Sequence, residues 1–217
     1  MGSELDPICS ALGLIPSPQQ TQALLNYLDL LQRWNTTYNL TAVRERAAML
    51  TQHLADCLAV VPPLTRQRSA RSVLDVGSGG GLPGVVIAIM LPVLQVSCID
   101  TVGKKAAFIQ QAAATLALPN LRALHARVES LQGLQFDVIT SRAFASLTDF
   151  AQLTRPLLAP GGLWMAMKGK RPDAEIDALS PEVHVFHVEH LTVPGLSAER
   201  CLVWMRAVES SEVLAAA

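Results

Sequence analysis

The run Val73-Leu74-Asp75-Val76-Gly77-Ser78-Gly79-Gly80-Gly81-Leu82-Pro83-Gly84 leaves this chain few ways to fold. A short apolar stretch ends on an acidic residue and its neighbour, a glycine-rich turn follows, and an apolar segment of helical length opens behind it. Glycines let backbone approach a ligand closely, and a helix start presents unpaired N–H groups to an anion. In a loop with no ligand to hold, so many glycines would cost stability for no return. The segment predicts a strand, a binding turn and a helix, the opening unit of a doubly wound α/β domain.

Glycines alone do not name the ligand. Gly79, Gly81 and Gly84 satisfy a dinucleotide pattern, and Asp100 falls 21 positions after Gly79, close to where a ribose-binding acid belongs. The register favours S-adenosylmethionine instead. Gly77 follows directly on an Asp-Val strand end, and Asp100 closes the next strand, placed to grip a ribose diol. A dehydrogenase would also need a substrate domain, and nothing after residue 180 is adequate for one. Asp75, Gly77, Gly79, Gly81 and Asp100 are therefore candidate cofactor residues. For both aspartates, capping of the following helix is the competing role.

The rest of the chain supports this fold. Strands are expected at Ser72–Val76, Gln95–Ile99, Arg122–His125, Asp137–Thr140 and Leu163–Met167, with helices near 84–91, 104–117 and 146–158. Such alternation predicts a mostly parallel, seven-stranded sheet covered on both faces, completed by an antiparallel pair from Val183–Leu191 and Cys201–Arg206. Residues 1–65 read as a helical extension, 66–208 as the binding domain and 209–217 as a flexible tail. Ser17-Pro18-Gln19-Gln20 is a capping-box helix start, and Leu24, Leu28, Leu31 and Trp34 recur at helical spacing. A second helix carries Met49, Leu50, Leu54, Cys57, Leu58 and Val61 on one side. Between them, Trp34 to Thr41 is polar and aromatic and reads as a binding loop.

Half of the 217 residues are hydrophobic, yet the most apolar stretch, Leu82 to Val96, is broken by Pro83, Gly84 and Pro92. It falls short of the roughly 20 clean residues of a membrane span. No basic segment with an apolar core begins the chain, so a cytosolic protein is expected. The four cysteines are scattered without a CxxC pair, which points to reduced, buried thiols rather than zinc. His184, His187 and His190 have a metal-like spacing, but on a strand they would not face one ion, and no metal is expected. A net charge of −1 argues against indiscriminate coating of nucleic acid while leaving room for a local basic face. Arg44 with Arg46, Lys104 with Lys105, and Lys168 with Lys170 are the candidates.

Beyond the glycine turn, several further segments stand together: Trp34-Asn35, Tyr38-Asn39-Leu40-Thr41, Val43-Arg44, and His53 with Asp56. Gly103-Lys104, Arg127-Val128-Glu129, Ser141-Arg142-Ala143-Phe144-Ala145-Ser146 and Lys168-Gly169 follow. In these the chain resembles, over nearly its whole length, the RsmG (also called GidB) methyltransferases, which make 7-methylguanosine in bacterial small-subunit ribosomal RNA. Gly80 and Thr101 depart from the residues most frequent there. The resemblance implies that Gly77, Leu82, Val128, Glu129 and Arg142 surround S-adenosylmethionine. It also implies a target guanine in 16S rRNA, met in the 30S subunit or an assembly intermediate; the sequence leaves the oligomeric state open, with a monomer expected. Guanine N7 has no proton to lose, so the lack of an evident triad or paired carboxylates fits that chemistry. Arg142, at the mouth of the fourth strand, is the expected substrate-positioning residue, with a structural ion pair as its alternative. Asn35, Asn39, Arg44, Lys104, Lys105 and Lys168 are the expected RNA contacts. A methyltransferase for a small molecule or protein, and a non-catalytic nucleotide-binding module, are the competing functions.

Overall fold

The computed structural model describes residues 3–142, 144 and 146–208. Helices α1 (Asp6–Ala11) and α2 (Pro18–Tyr38) come first, then α3 (Arg46–Met49), a π-helical turn (Leu50–Ala55), α4 (Asp56–Leu58) and α5 (Val61–Thr65). The α/β part runs β1 (Ser72–Val76), α6 (Gly84–Met90), β2 (Gln95–Asp100), α7 (Gly103–Thr115) and β3 (Leu121–His125). A 3-10 turn (Val128–Ser130), β4 (Phe136–Ser141), α8 (Leu147–Thr154) and β5 (Leu158–Lys168) follow. Last come α9 (Asp173–Asp177), β6 (Val183–Leu191) and β7 (Arg200–Ala207). The expected tail over 209–217 lies outside the described residues.

The strands form one sheet in the order β3-β2-β1-β4-β5-β7-β6. β1 to β5 pair in parallel, and β7 runs antiparallel between β5 and β6. Strand order reverses between β1 and β4, the switch point beside which ligands sit in such sheets. Alternate residues of β1 feed opposite cores: Val73 joins the side covered by α6 and α7, whereas Leu74 and Val76 join the side covered by α8. Burial of both faces explains why the strands read as nearly continuous apolar runs.

The sequence boundary at residue 65 does not divide two cores. Leu24, Leu28 and Leu31 of α2, with Leu54 and Leu58, pack into the same cluster as Val85, Ile87 and Phe108. α2 begins as expected, Ser17 Oγ accepting from Gln20 N and Gln20 Oε1 accepting from Ser17 N. It ends later than expected. Trp34 to Tyr38, read as part of a loop, complete the last turn of α2, and Asn39 closes it in the left-handed region at φ 50°.

Two side chains lock α2 onto the sheet layer. Gln20 Nε2 donates to the carbonyls of Ile89 and Met90 at 3.0 Å, satisfying the end of α6. The buried Tyr27 hydroxyl donates to Gly80 O at 2.6 Å, so α2 holds the glycine turn from behind. Tyr27→Phe strips a buried carbonyl of its donor, and the fold is expected to lose about 1–2 kcal/mol. Urea unfolding should show a lower midpoint with an unchanged slope; an unmoved midpoint would mean that the bond contributes nothing net.

Candidate cofactor and substrate site

The site is built at the carboxyl edge of β1, β2 and β4. Gly77 N and Ser78 N donate to Ile99 O, which fastens the turn after β1 to the end of β2. Gly77 and Gly81 have positive φ, 67° and 84°. At Gly77 a Cβ would project into open space, so the turn leaves room beside its backbone. At Gly81 a Cβ would lie 2.4 Å from Val85 Cγ2, so only glycine lets α6 start this close to the turn.

The two aspartates have different fates. Asp100 is 6% exposed and lines the groove, its carboxylate accepting from Gly79 N and Val102 N at 2.9 Å, with Lys105 Nζ 3.7 Å away. Asp75 is fully buried beneath the turn, and its Oδ2 accepts from Gly84 N at 2.8 Å. It caps the start of α6, the alternative role expected for it, and its side chain is set back from the groove. Burial pushes its carboxyl up to about 7, against the opposing pull of the Gly84 bond.

Two cavities meet along this edge. One of about 440 Å³ is walled by Gly77, Asp100, Lys105, Val128, Glu129 and Phe144, with Val76, Ile99 and Leu153 also contributing. The other, about 160 Å³, lies over Gly77 to Gly80 and is closed by Leu31, Leu40, Thr41, Leu82, Lys105 and Arg142. Gly77 and Lys105 belong to both, so the pair forms one bent groove. An apolar slot, two carboxylates and a glycine cradle that a Cβ would narrow suit an adenosine joined to a short cationic chain.

Arg142 stands at the end of this groove and also lines a third cavity of about 380 Å³, shared with Gln52, His53, Lys168, Gly169 and Arg200. Asp56, 1% exposed, fixes it there: Arg142 Nη1 donates to Asp56 Oδ2 at 3.3 Å, and Arg200 Nε donates to Oδ1 at 2.8 Å. Arg142 Nη1 also donates to Gln52 O at 3.1 Å. Among the described residues only Nη1 is engaged, which leaves the remaining donors of the guanidinium for a ligand. One buried carboxylate thus aims two arginines, and the ion-pair and ligand roles of Arg142 coexist.

His53 completes the cluster, its Nε2 2.7 Å from Thr41 Oγ1 and its Nδ1 3.4 Å from Arg142 Nη1. Burial, and then the adjacent guanidinium, lower its pKa to about 4, so it is neutral at pH 7. Among the described residues no group of histidine, cysteine, aspartate and glutamate could hold a metal ion. Cys9, Cys57, Cys98 and Cys201 are all buried free thiols.

The expected RNA contacts do not gather in one place. Asn35 is buried, its Nδ2 donating to Val43 O at 3.0 Å and its Oδ1 accepting from Thr41 N at 2.8 Å. It holds the loop that walls the groove, and its side chain is buried rather than presented to solvent. Asn39 and Arg44 are exposed and bonded to each other at 3.2 Å. Lys104 is exposed on α7, Lys105 turns toward Asp100, and Lys168 pairs with Glu175 at 2.8 Å beside the third cavity. Arg200 was not found from the sequence: a single arginine at a strand start carries no pattern, and its partner lies 144 positions away.

Comparison with known proteins decides the family. The GidB family model, described as rRNA small subunit methyltransferase G, matches residues 20–203. The chain belongs to this family. Among GidB relatives, the ribosomal RNA small subunit methyltransferase G of Leptothrix cholodnii is 63% identical over 198 residues, covering 90% of this chain and 91% of that protein. Its counterpart from an Acidovorax species is 59% identical over 209 residues, covering 92% of each. Solved structures share the fold alone at low identity. TrmN from Thermus thermophilus has a TM-score of 0.56 at 21% identity, over 73% of this chain and 53% of that one. A SAM-dependent methyltransferase from Aquifex aeolicus has a TM-score of 0.54 at 16% identity, over 74% and 93%.

The low pKa of His53 has a checkable consequence. Followed by its ring proton shift, His53 should titrate near pH 4, whereas a solvated ring would titrate near 6.5. Because the folded value lies below the unfolded one, this group's contribution to stability is present above about pH 6.5 and is lost as pH falls toward 4. A midpoint near 6.5 would show that the ring is neither buried nor opposed by Arg142.

Proposed function

We propose that this GidB-family chain uses S-adenosylmethionine to methylate N7 of a guanine in small-subunit ribosomal RNA. The observation that carries this reading is Arg142, held by Asp56 between the cofactor-sized groove and the cavity beyond it. When bound, S-adenosylmethionine supplies an electrophilic methyl group on a sulfonium centre. The backbone of Gly77, Gly79 and Gly81 with Leu82 would line its chain, Asp100 would accept from the ribose hydroxyls, and Val128 with Glu129 would meet the adenine.

Guanine N7 carries an in-plane lone pair and no proton, so the protein has only to align it; no general base is required. N7 and O6 present acceptors alone, and a donor is the proper complement. Arg142 offers its free donors to O6 or to a neighbouring phosphate while N7 stays open to attack. Arg200 and Lys168 line the same cavity and suit the phosphate of the target nucleotide. Arg44, Lys104 and Lys105, with Asn39, would contact the flanking RNA. The reading extends to a monomer working in the cytosol on the 30S subunit or its assembly intermediate.

Small subunits lacking the modification, incubated with labelled methyl donor, should acquire one labelled base that maps as 7-methylguanosine. Label on an exocyclic amine or in a ribosomal protein would overturn the assignment. Arg142→Lys keeps the charge beside Asp56 but loses the fork, and transfer should fall on the order of a hundredfold. S-adenosylhomocysteine affinity, measured in parallel, should stay near wild type. Near-normal turnover would leave Arg142 a structural role only.

A further inference from the structure

The last turn of α2 presents a surface that cofactor binding does not use. Tyr38 is an aromatic side chain left 41% exposed. It is not isolated: its ring lies 5.0 Å from that of Trp34, and Trp34 lies 5.5 Å from the buried Phe108 of α7. The result is a ladder of three rings that begins in the core and ends in solvent, a rigid backing for one exposed π-face.

Its surroundings narrow what could cover it. Asn39, the next residue, turns the chain through the left-handed region, and Leu40 and Thr41 then drop into the wall of the glycine cavity. The exposed ring is therefore two residues from the groove's rim. Arg44 is held beside this turn by its bond to Asn39, and Lys104 is exposed on the first turn of α7, the helix that carries Phe108. A flat aromatic surface, with a guanidinium held at the same turn and an ammonium on the helix that its ring ladder rests on, matches a base and its phosphates. Unpaired nucleotides bind proteins through this combination of stacking and charge.

We propose that Tyr38 is a stacking platform for an unpaired RNA base that flanks the methylated guanine, with Arg44 and Lys104 meeting the adjoining phosphates. This rests on the ribosomal RNA reading above. The platform fixes the strand at the rim so that the target base enters the groove mouth, while the ring itself touches no reacting atom. Tyr38 is thus a substrate-binding residue, and the face of the ring rather than its hydroxyl does the work.

The test measures KM for small subunits lacking the modification, with S-adenosylhomocysteine affinity and kcat at saturating particles alongside. Tyr38→Leu keeps an apolar side chain against Trp34 but has no π-face, and its KM should rise on the order of tenfold. S-adenosylhomocysteine affinity and kcat should hold. Tyr38→Phe should restore the wild-type KM, which a role for the hydroxyl would not allow. Phe186→Ala removes an exposed ring from the edge strand β6, remote from the groove, and serves as the control with unchanged KM. A wild-type KM in Tyr38→Leu overturns the platform, as does a loss in Tyr38→Leu explained wholly by weaker S-adenosylhomocysteine binding. If the wild-type enzyme methylated no RNA at all, the ribosomal reading itself would fall, and the platform with it.

Discussion

The contact between the end of β1 and the start of α6 governs the rest of the site. Asp75 Oδ2 accepts from Gly84 N, and Gly84 lies so close that a Cβ there would fall 2.2 Å from Cys98 Sγ and 2.9 Å from Asp75 Oδ2. α6 therefore starts directly against β1 and β2, and the chain between them has no slack except through glycine. Burial favours a neutral Asp75 and the Gly84 bond favours the anion, and the carboxyl is pushed up to about 7; Oδ1 has no partner among the described residues. Buried polar atoms without partners are costly. Here it belongs to the carboxylate whose other oxygen holds the turn that faces the groove.

From that contact the site grows in two directions. Tyr27 grips Gly80 from the helical side, and Asp100 grips Gly79 from the sheet side, so the turn is clamped between α2 and β2. The N-terminal helices are hence a wall of the groove rather than an appendage: Leu31, Leu40 and Thr41 close what the glycines open. The π-helical turn Leu50–Ala55 continues that wall. Gln52 O and His53 Nδ1 of this wider turn both lie against Arg142, and such turns recur at functional sites.

Much of this was legible in the sequence, for local reasons. Strand and helix placement followed from apolar runs bounded by Gly, Pro and Asp, and the Ser17–Gln20 capping box is a matter of four consecutive residues. The misreadings were of two kinds. Trp34 to Tyr38 looked like a loop because Asn, Thr and aromatic residues are poor helix formers, yet packing of Trp34 on Phe108 carries α2 through them. Likewise β5 begins at Leu158, five residues before the expected start. Leu158 pairs with Phe136, then the register shifts around Pro160, Gly161 and Gly162 before Leu163 pairs with Val138. The other kind was long-range. Asp56 meets Arg142 and Arg200 across most of the chain, and no spacing rule connects residues that only the sheet brings together.

That long-range hub also suits the proposed reaction, which asks for no general base. Among the described residues, the carboxylates and the imidazole near Arg142 are already committed: Asp56 to two arginines, Asp75 to the start of α6, and His53, uncharged at neutral pH, to Thr41. A free carboxylate here would be an uncompensated buried charge, and a reaction that removes a substrate proton would need a free base. Alkylation of a proton-free nitrogen needs neither. What it needs is a donor held at a fixed place with its remaining N–H groups turned to the ligand, and a buried carboxylate that accepts from Arg142 Nη1 and Arg200 Nε is a means of fixing it. On the proposed reaction, the arrangement would select by geometry what it would not have to activate by proton transfer.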